Sequence, residues 1–133
     1  MRTFLIVCFM LMTVISKAQD KFIGENYGDI NTEMISLRNT NINTGETNVA
    51  GQYQATFKVG EGFAYSFLFN KADNVCTGIK EIMGRDLLSS TINKLNNEYT
   101  KIDDTHWISK DKIYRIILDA GADNVIITHL KIK

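Results

Sequence analysis

Apolar and polar positions follow two different periods along this chain. Over residues 26–38, Tyr27, Ile30, Met34 and Leu37 recur three or four positions apart, which places them on one stripe of a helix that Asn26 or Asp29 would cap. Residues 33–38 also alternate in part, so a strand reading of this segment stays open. Residues 39–50 (NTNINTGETNVA) are polar and rich in Asn and Thr, the composition of a long surface loop. A period of two then takes over. Tyr53, Ala55, Phe57 and Val59 alternate, Gly60-Glu61-Gly62 supply a turn, and Phe63, Tyr65, Phe67 and Phe69 alternate against Ala64, Ser66 and Leu68, predicting a hairpin. Beyond the turn-like residues 70–74, residues 75–83 predict a third strand with Gly78 as a candidate bulge.

The helical period returns across residues 85–100, where Leu88, Ile92, Leu95 and Tyr99 are spaced four, three and four apart. Three further strands are expected at residues 106–108, 113–118 and 125–132, separated by polar turns at 109–112 and 119–124. The expected fold is therefore α+β, with two helices packed on one face of a mainly antiparallel sheet of about six strands, in the order α-β-β-β-α-β-β-β. The repeated order fits an internal duplication; a coincidence of common elements fits it nearly as well.

The period of two also assigns faces. One face would carry Phe63, Tyr65, Phe67 and Phe69 with Tyr114, Ile116 and Leu118 and with Ile126, Leu130 and Ile132, and would receive the helices. The other would carry Ala64, Ser66 and Leu68, then Ile113, Arg115 and Ile117, then Val125, Ile127, His129 and Lys131. That second face is amphipathic, and at ~25 cal/mol per Å2 leaving several Ile and Val side chains in water forgoes several kcal/mol. Either the 39–50 loop or strand twist covers it, or a second copy, a partner protein or a flat apolar ligand does.

The N-terminus changes the compartment. Met1-Arg2 is followed by an apolar run at residues 4–15 and by Ser16-Lys17-Ala18, the pattern of a signal peptide cut after Ala18. A run of 12 residues is short for a membrane-spanning helix, so the expectation is an exported protein, periplasmic or extracellular, with one domain over residues 19–133 and no membrane span in the mature chain. Cleavage removes Arg2, Lys17 and Cys8. What is left is 13 basic residues against 15 acidic ones, a net charge of −2, and Cys76 as the single cysteine, with no intramolecular disulfide. The strand-like setting of Cys76 favours a buried thiol over a reactive one. Without a polybasic run, no nucleic-acid partner is expected. The chain has 44% hydrophobic and 23% charged residues, which makes disorder a poor fit, and its lack of proline leaves no stiff linker to mark a second domain.

Strong chemical signatures do not occur: the sequence has no P-loop, GxGxxG, HExxH, CxxC or GxSxG pattern. Its one compact polar cluster is Asp103-Asp104-Thr105-His106-Trp107, where Asp104 two residues before His106 could share a strand face and orient the imidazole as a general base. The alternative is a turn after the second helix, with Trp107 anchoring the sheet. Two histidines, one mature cysteine and scattered acids show no metal-ligand spacing, so neither a metal nor a cofactor is expected.

In the order of its elements over residues 26–132, the chain resembles small exported α+β domains of the β-lactamase-inhibitor-protein-like and outer-membrane-assembly accessory type. The resemblance is one of topology, and it transfers no binding residues. The function expected first is a non-enzymatic binding module that engages a protein partner, or a second copy of itself, through Leu68, Ile113, Arg115, Ile117, Val125, Ile127 and His129. A small hydrolase or lyase centred on His106 with Asp104 is the second reading, and an inhibitor or immunity-like protein the third.

Overall fold

Asn26 opens the first helix by turning its side-chain carbonyl onto the Asp29 N–H at 3.0 Å, and this cap fixes where the helical stripe begins. The computed structural model describes residues 20–133; the expected leader, residues 1–18 with Cys8, lies outside them. Helix α1 (Tyr27–Ser36) buries Ile30 and Met34 against the sheet. Leu37 does not share that burial: it is the residue that ends the helix, and it is 62% exposed. A 3-10 turn at Arg85–Leu87 leads into α2 (Leu88–Glu98), which buries Thr91 and Leu95 and packs Leu88 and Ile92 at their margin.

Eight strands, all antiparallel, form one sheet: β1 (Thr40–Glu46), β2 (Gln52–Lys58), β3 (Phe63–Asn70), β4 (Cys76–Gly84), β5 (Thr100–Asp103), β6 (His106–Ile108), β7 (Tyr114–Ala120) and β8 (Asn124–Lys131). Their order across the sheet is β1-β2-β3-β4-β8-β7-β6-β5. The α+β class with helices on one face of an antiparallel sheet is thus observed, but with eight strands and four, not three, after each helix. Residues 39–50, expected to be a loop, contain β1. As an edge strand it is exposed on both sides, so it needs no apolar alternation, and its backbone is held by β2 all the same. The short β5, exposed along its whole length, carries no apolar alternation for the same reason.

Each helix covers its own half of a shared face. Under α1 lie Ala55, Phe57, Phe67, Phe69, Cys76 and Ile79; under α2 lie Met83, Trp107, Ile116, Leu118, Val125 and Ile127. Burying one such large side chain stabilises the fold by roughly 1.5–3 kcal/mol. The Trp107 indole N–H donates to the Asn96 side-chain oxygen at 2.9 Å, which ties α2 to β6.

Strand β8 faces the other way from the sequence expectation. Val125, Ile127 and His129 point to the helices and are 0%, 3% and 1% exposed, whereas Ile126 and Leu130 point away and Ile132 is exposed. The reason is the β7–β8 turn. Ala120 pairs with Val125 around a tight tip closed by the Gly121 N–H on the Asn124 carbonyl, and this spacing pairs even-numbered positions of β7 with odd-numbered positions of β8. Ile116 and Leu118 on the core face therefore bring His129 and Ile127 with them.

The two halves repeat their register as well as their order. In the first, Asn41 lies opposite Phe57, Phe57 opposite Tyr65, and Tyr65 opposite Glu81. In the second, Lys101 lies opposite Trp107, Trp107 opposite Ile116, and Ile116 opposite His129. Both edge strands carry a bulge at the matching point, Ile42 in β1 and Ile102 in β5. A two-fold axis between β4 and β8 thus relates the halves, and it exchanges Glu81 with His129. The likeness is not complete, since the bulge between Leu68 and Phe69 in the β3–β4 pair has no counterpart between β7 and β8.

Candidate functional site

The face turned away from the helices is built from three cross-strand rows. Gln54, Leu68, Gly78, Leu130, Arg115 and Ile108 form the first. Thr56, Ser66, Lys80, Thr128, Ile117 and His106 form the second. Lys58, Ala64, Ile82, Ile126 and Asp119 form the third. Both cores lie on the opposite face, so among the described residues no helix packs over these rows.

Local chemistry explains how close-set this surface is. A side chain at Gly78 would bring its first carbon within 2.6 Å of a Leu130 methyl and 3.2 Å of a Leu68 methyl, so the missing side chain lets the two leucines close over the backbone. Leu68 is accordingly 5% exposed although it faces away from the core. Beside it, the Thr56 and Ser66 hydroxyls hydrogen-bond across the strands at 3.0 Å, which satisfies two polar groups in a partly dehydrated row. Ile82, Ile117, Ile126, Thr128, Leu130 and Lys80 are half-buried and Arg115 is exposed.

Of the residues expected to form the binding face, Leu68, Arg115 and Ile117 are there. Ile113 precedes β7 as an exposed residue, 40% accessible, and its carbonyl accepts from the Ile132 N–H. Val125, Ile127 and His129 are corrected to the helix side, and Ile82, Ile126 and Leu130 stand on the open face in their place. Applying the hairpin spacing rule to the β7–β8 turn finds Ile126 and Leu130, whereas Ile82 is placed by its pairing with Ala64 on β3.

His129 instead meets Glu81. Its Nε2 lies 2.9 Å from a Glu81 carboxylate oxygen, with side chains 2% and 14% exposed, and the Tyr99 ring stands edge-on at 6.2 Å. The pair sits on the two-fold axis between the two apolar clusters.

The cluster around His106 is arranged differently from its sequence reading. Its Nδ1 pairs with Asp103 at 2.9 Å, not with Asp104, which is almost fully exposed and meets Lys101 at 3.1 Å. Asp103 accepts the Thr105 N–H at 2.9 Å, and that bond, followed by the His106 contact, holds its carboxyl below the usual range. The Thr105 hydroxyl also meets Nδ1, at 2.9 Å. Hydroxyl and carboxylate therefore share one ring nitrogen, whereas a nucleophile–base–acid relay requires them on opposite ones. The bulge at Ile102 is what sets Asp103, and not its neighbour, opposite His106.

No family model, curated protein or solved structure matches the chain. Among the described residues no cluster of His, Cys, Asp and Glu has the makings of a metal site, and no helix is long and apolar enough to cross a membrane. Cys76 is buried beneath α1 at 1% exposure, and burial pushes its thiol up to about 12.

Proposed function

We propose that the protein is an exported, non-enzymatic binding module whose interaction surface is the open face of the sheet. The observation that carries this reading is the pair of apolar rows, Leu68 with Leu130 and Ile82 with Ile126, flanking Lys80 and Thr128 on a face that no helix covers among the described residues. Eight strands make the surface broad and stiff, and a surface of that kind suits a protein partner better than a small molecule, which favours a concave pocket.

Ile117→Lys and Ile126→Lys test the reading against Ile116→Lys, a change in the core. The open-face variants should unfold near the wild-type midpoint while Ile116→Lys should not fold. A photo-crosslinking residue at position 128, introduced in the producing cell, should form a protein adduct, and one at position 32 on α1 should not. Loss of stability by Ile117→Lys on the scale of Ile116→Lys would make that face interior and end the proposal.

A further inference from the structure

The open face distributes its charge unevenly. Lys80 occupies the middle of the sheet, opposite Ser66 on one side and Thr128 on the other. Arg115 lies two strands away beside Leu130 and Ile108, and Lys58 stands toward the β2 side beside Ala64. None of the three enters an ion pair or a side-chain hydrogen bond among the described residues. The acids of this face are fewer: Asp103 is engaged by Thr105 and His106, and Asp119 stands at the end of the Ile126 row. Three unengaged cations thus face one unengaged acid.

Their setting narrows what would match them. Two strand spacings and a two-residue step along the strands put the Lys80 and Arg115 backbones roughly 12 Å apart, with apolar rows beside each. A uniformly anionic rail of phosphates would find few bases and many isoleucines. A protein segment carrying carboxylates among apolar side chains would satisfy both, because its acids would reach Lys80 and Arg115 as its apolar groups dehydrate the surface around them.

Resting on the reading of the open face as an interaction surface, we propose that its partner is an acidic protein segment. Lys80 and Arg115 meet its carboxylates, and the Leu68–Leu130 and Ile82–Ile126 rows receive its apolar side chains.

The probe is a naive peptide library displayed on phage and selected on the full folded chain. Enriched peptides should combine Asp or Glu with aliphatic or aromatic residues. Lys80→Glu or Arg115→Glu should weaken their binding by about tenfold or more, Lys80→Arg should retain it, and Lys110→Glu in the β6–β7 turn should leave it unchanged. Raising salt should weaken binding in the wild type. Should a charge-reversed variant fail to fold, Lys80→Gln and Arg115→Gln give the same reading.

Enrichment of neutral or basic peptides, or no enrichment, overturns the proposal. So does binding lost on Ile126→Lys yet indifferent to Lys80→Glu and Arg115→Glu; that result leaves the face as an interaction surface and removes only the acidic partner. Binding indifferent to all of these changes removes both readings. A dimer in light scattering that Ile126→Lys dissociates makes the occupant a second copy, and Lys80-dependent binding to phosphatidylglycerol vesicles in place of peptides makes it a lipid surface; either overturns the proposal.

Discussion

Glu81 and His129 touch at 2.9 Å and are each other's counterparts under the two-fold relation between the halves of the sheet. A carboxylate and an imidazole occupy the one place where the repeat meets itself, between two otherwise apolar clusters.

Because the pair is largely withdrawn from water, removing one member should cost more than removing both. Glu81→Leu or His129→Leu alone should lower stability by about 3 kcal/mol, since the remaining polar group stays buried beside an apolar one. The double variant should recover most of that loss. Urea unfolding of the two single variants and the double variant checks this, and additive losses would contradict it.

Gly78 is held to its identity by the leucines that close over it. Gly78→Ala should destabilise by about 1–3 kcal/mol, because the new methyl meets Leu130, Leu68 and the His129 carbonyl oxygen at 3.0 Å. Combining it with Leu130→Ala should remove part of the conflict, leaving a sub-additive loss in thermal unfolding. A neutral Gly78→Ala would show that the leucines can part freely.

Cys76 should behave as a small hydrophobe. A native thiol titrating at about 12 is about 1,000-fold poorer in thiolate near pH 8 than one at the ordinary value of 9.0, so labelling by a disulfide reagent should be slowed by at least that ratio until the protein unfolds. The raised value also sets a direction. The folded state holds this proton more tightly, so the contribution to stability is complete below pH 9 and is lost as pH climbs toward 12. Fast labelling of the native protein at pH 8 would refute both statements.

At the β5–β6 turn, the acid that matters is Asp103. Its carboxyl should titrate below the usual Asp range, and His106→Ala should restore it only in part, because the Thr105 N–H is the larger cause. A depressed carboxyl favours the fold above the ordinary Asp value and ceases to do so as pH falls through the lowered one. Asp104→Asn should leave that titration in place, as followed by NMR of the side-chain carboxyl.

What the sequence disclosed follows from where each segment lies. The β2–β3 hairpin and α2 were legible because one side of each is buried, which imposes a period on the residues. Strands β1 and β5 were not, since an edge strand held by backbone hydrogen bonds needs no apolar pattern. Strand β8 is apolar at both parities, so periodicity could not orient it; the turn spacing does. The Glu81–His129 contact joins residues 48 positions apart, and only the β4–β8 pairing, a crossover that no hairpin announces, brings them together. The open face was legible through Leu68, Arg115 and Ile117; its β8 residues Ile126 and Leu130 were hidden by the double parity of that strand, and Ile82 by the lack of alternation in β4.

The matched bulges at Ile42 and Ile102 bear on how copies of the protein behave when crowded. Each kinks the outermost strand and interrupts its regular run of backbone donors and acceptors, so neither end of the sheet offers a flat template on which another chain could extend it. Growth into fibrils by end-to-end strand addition is thereby disfavoured at both borders.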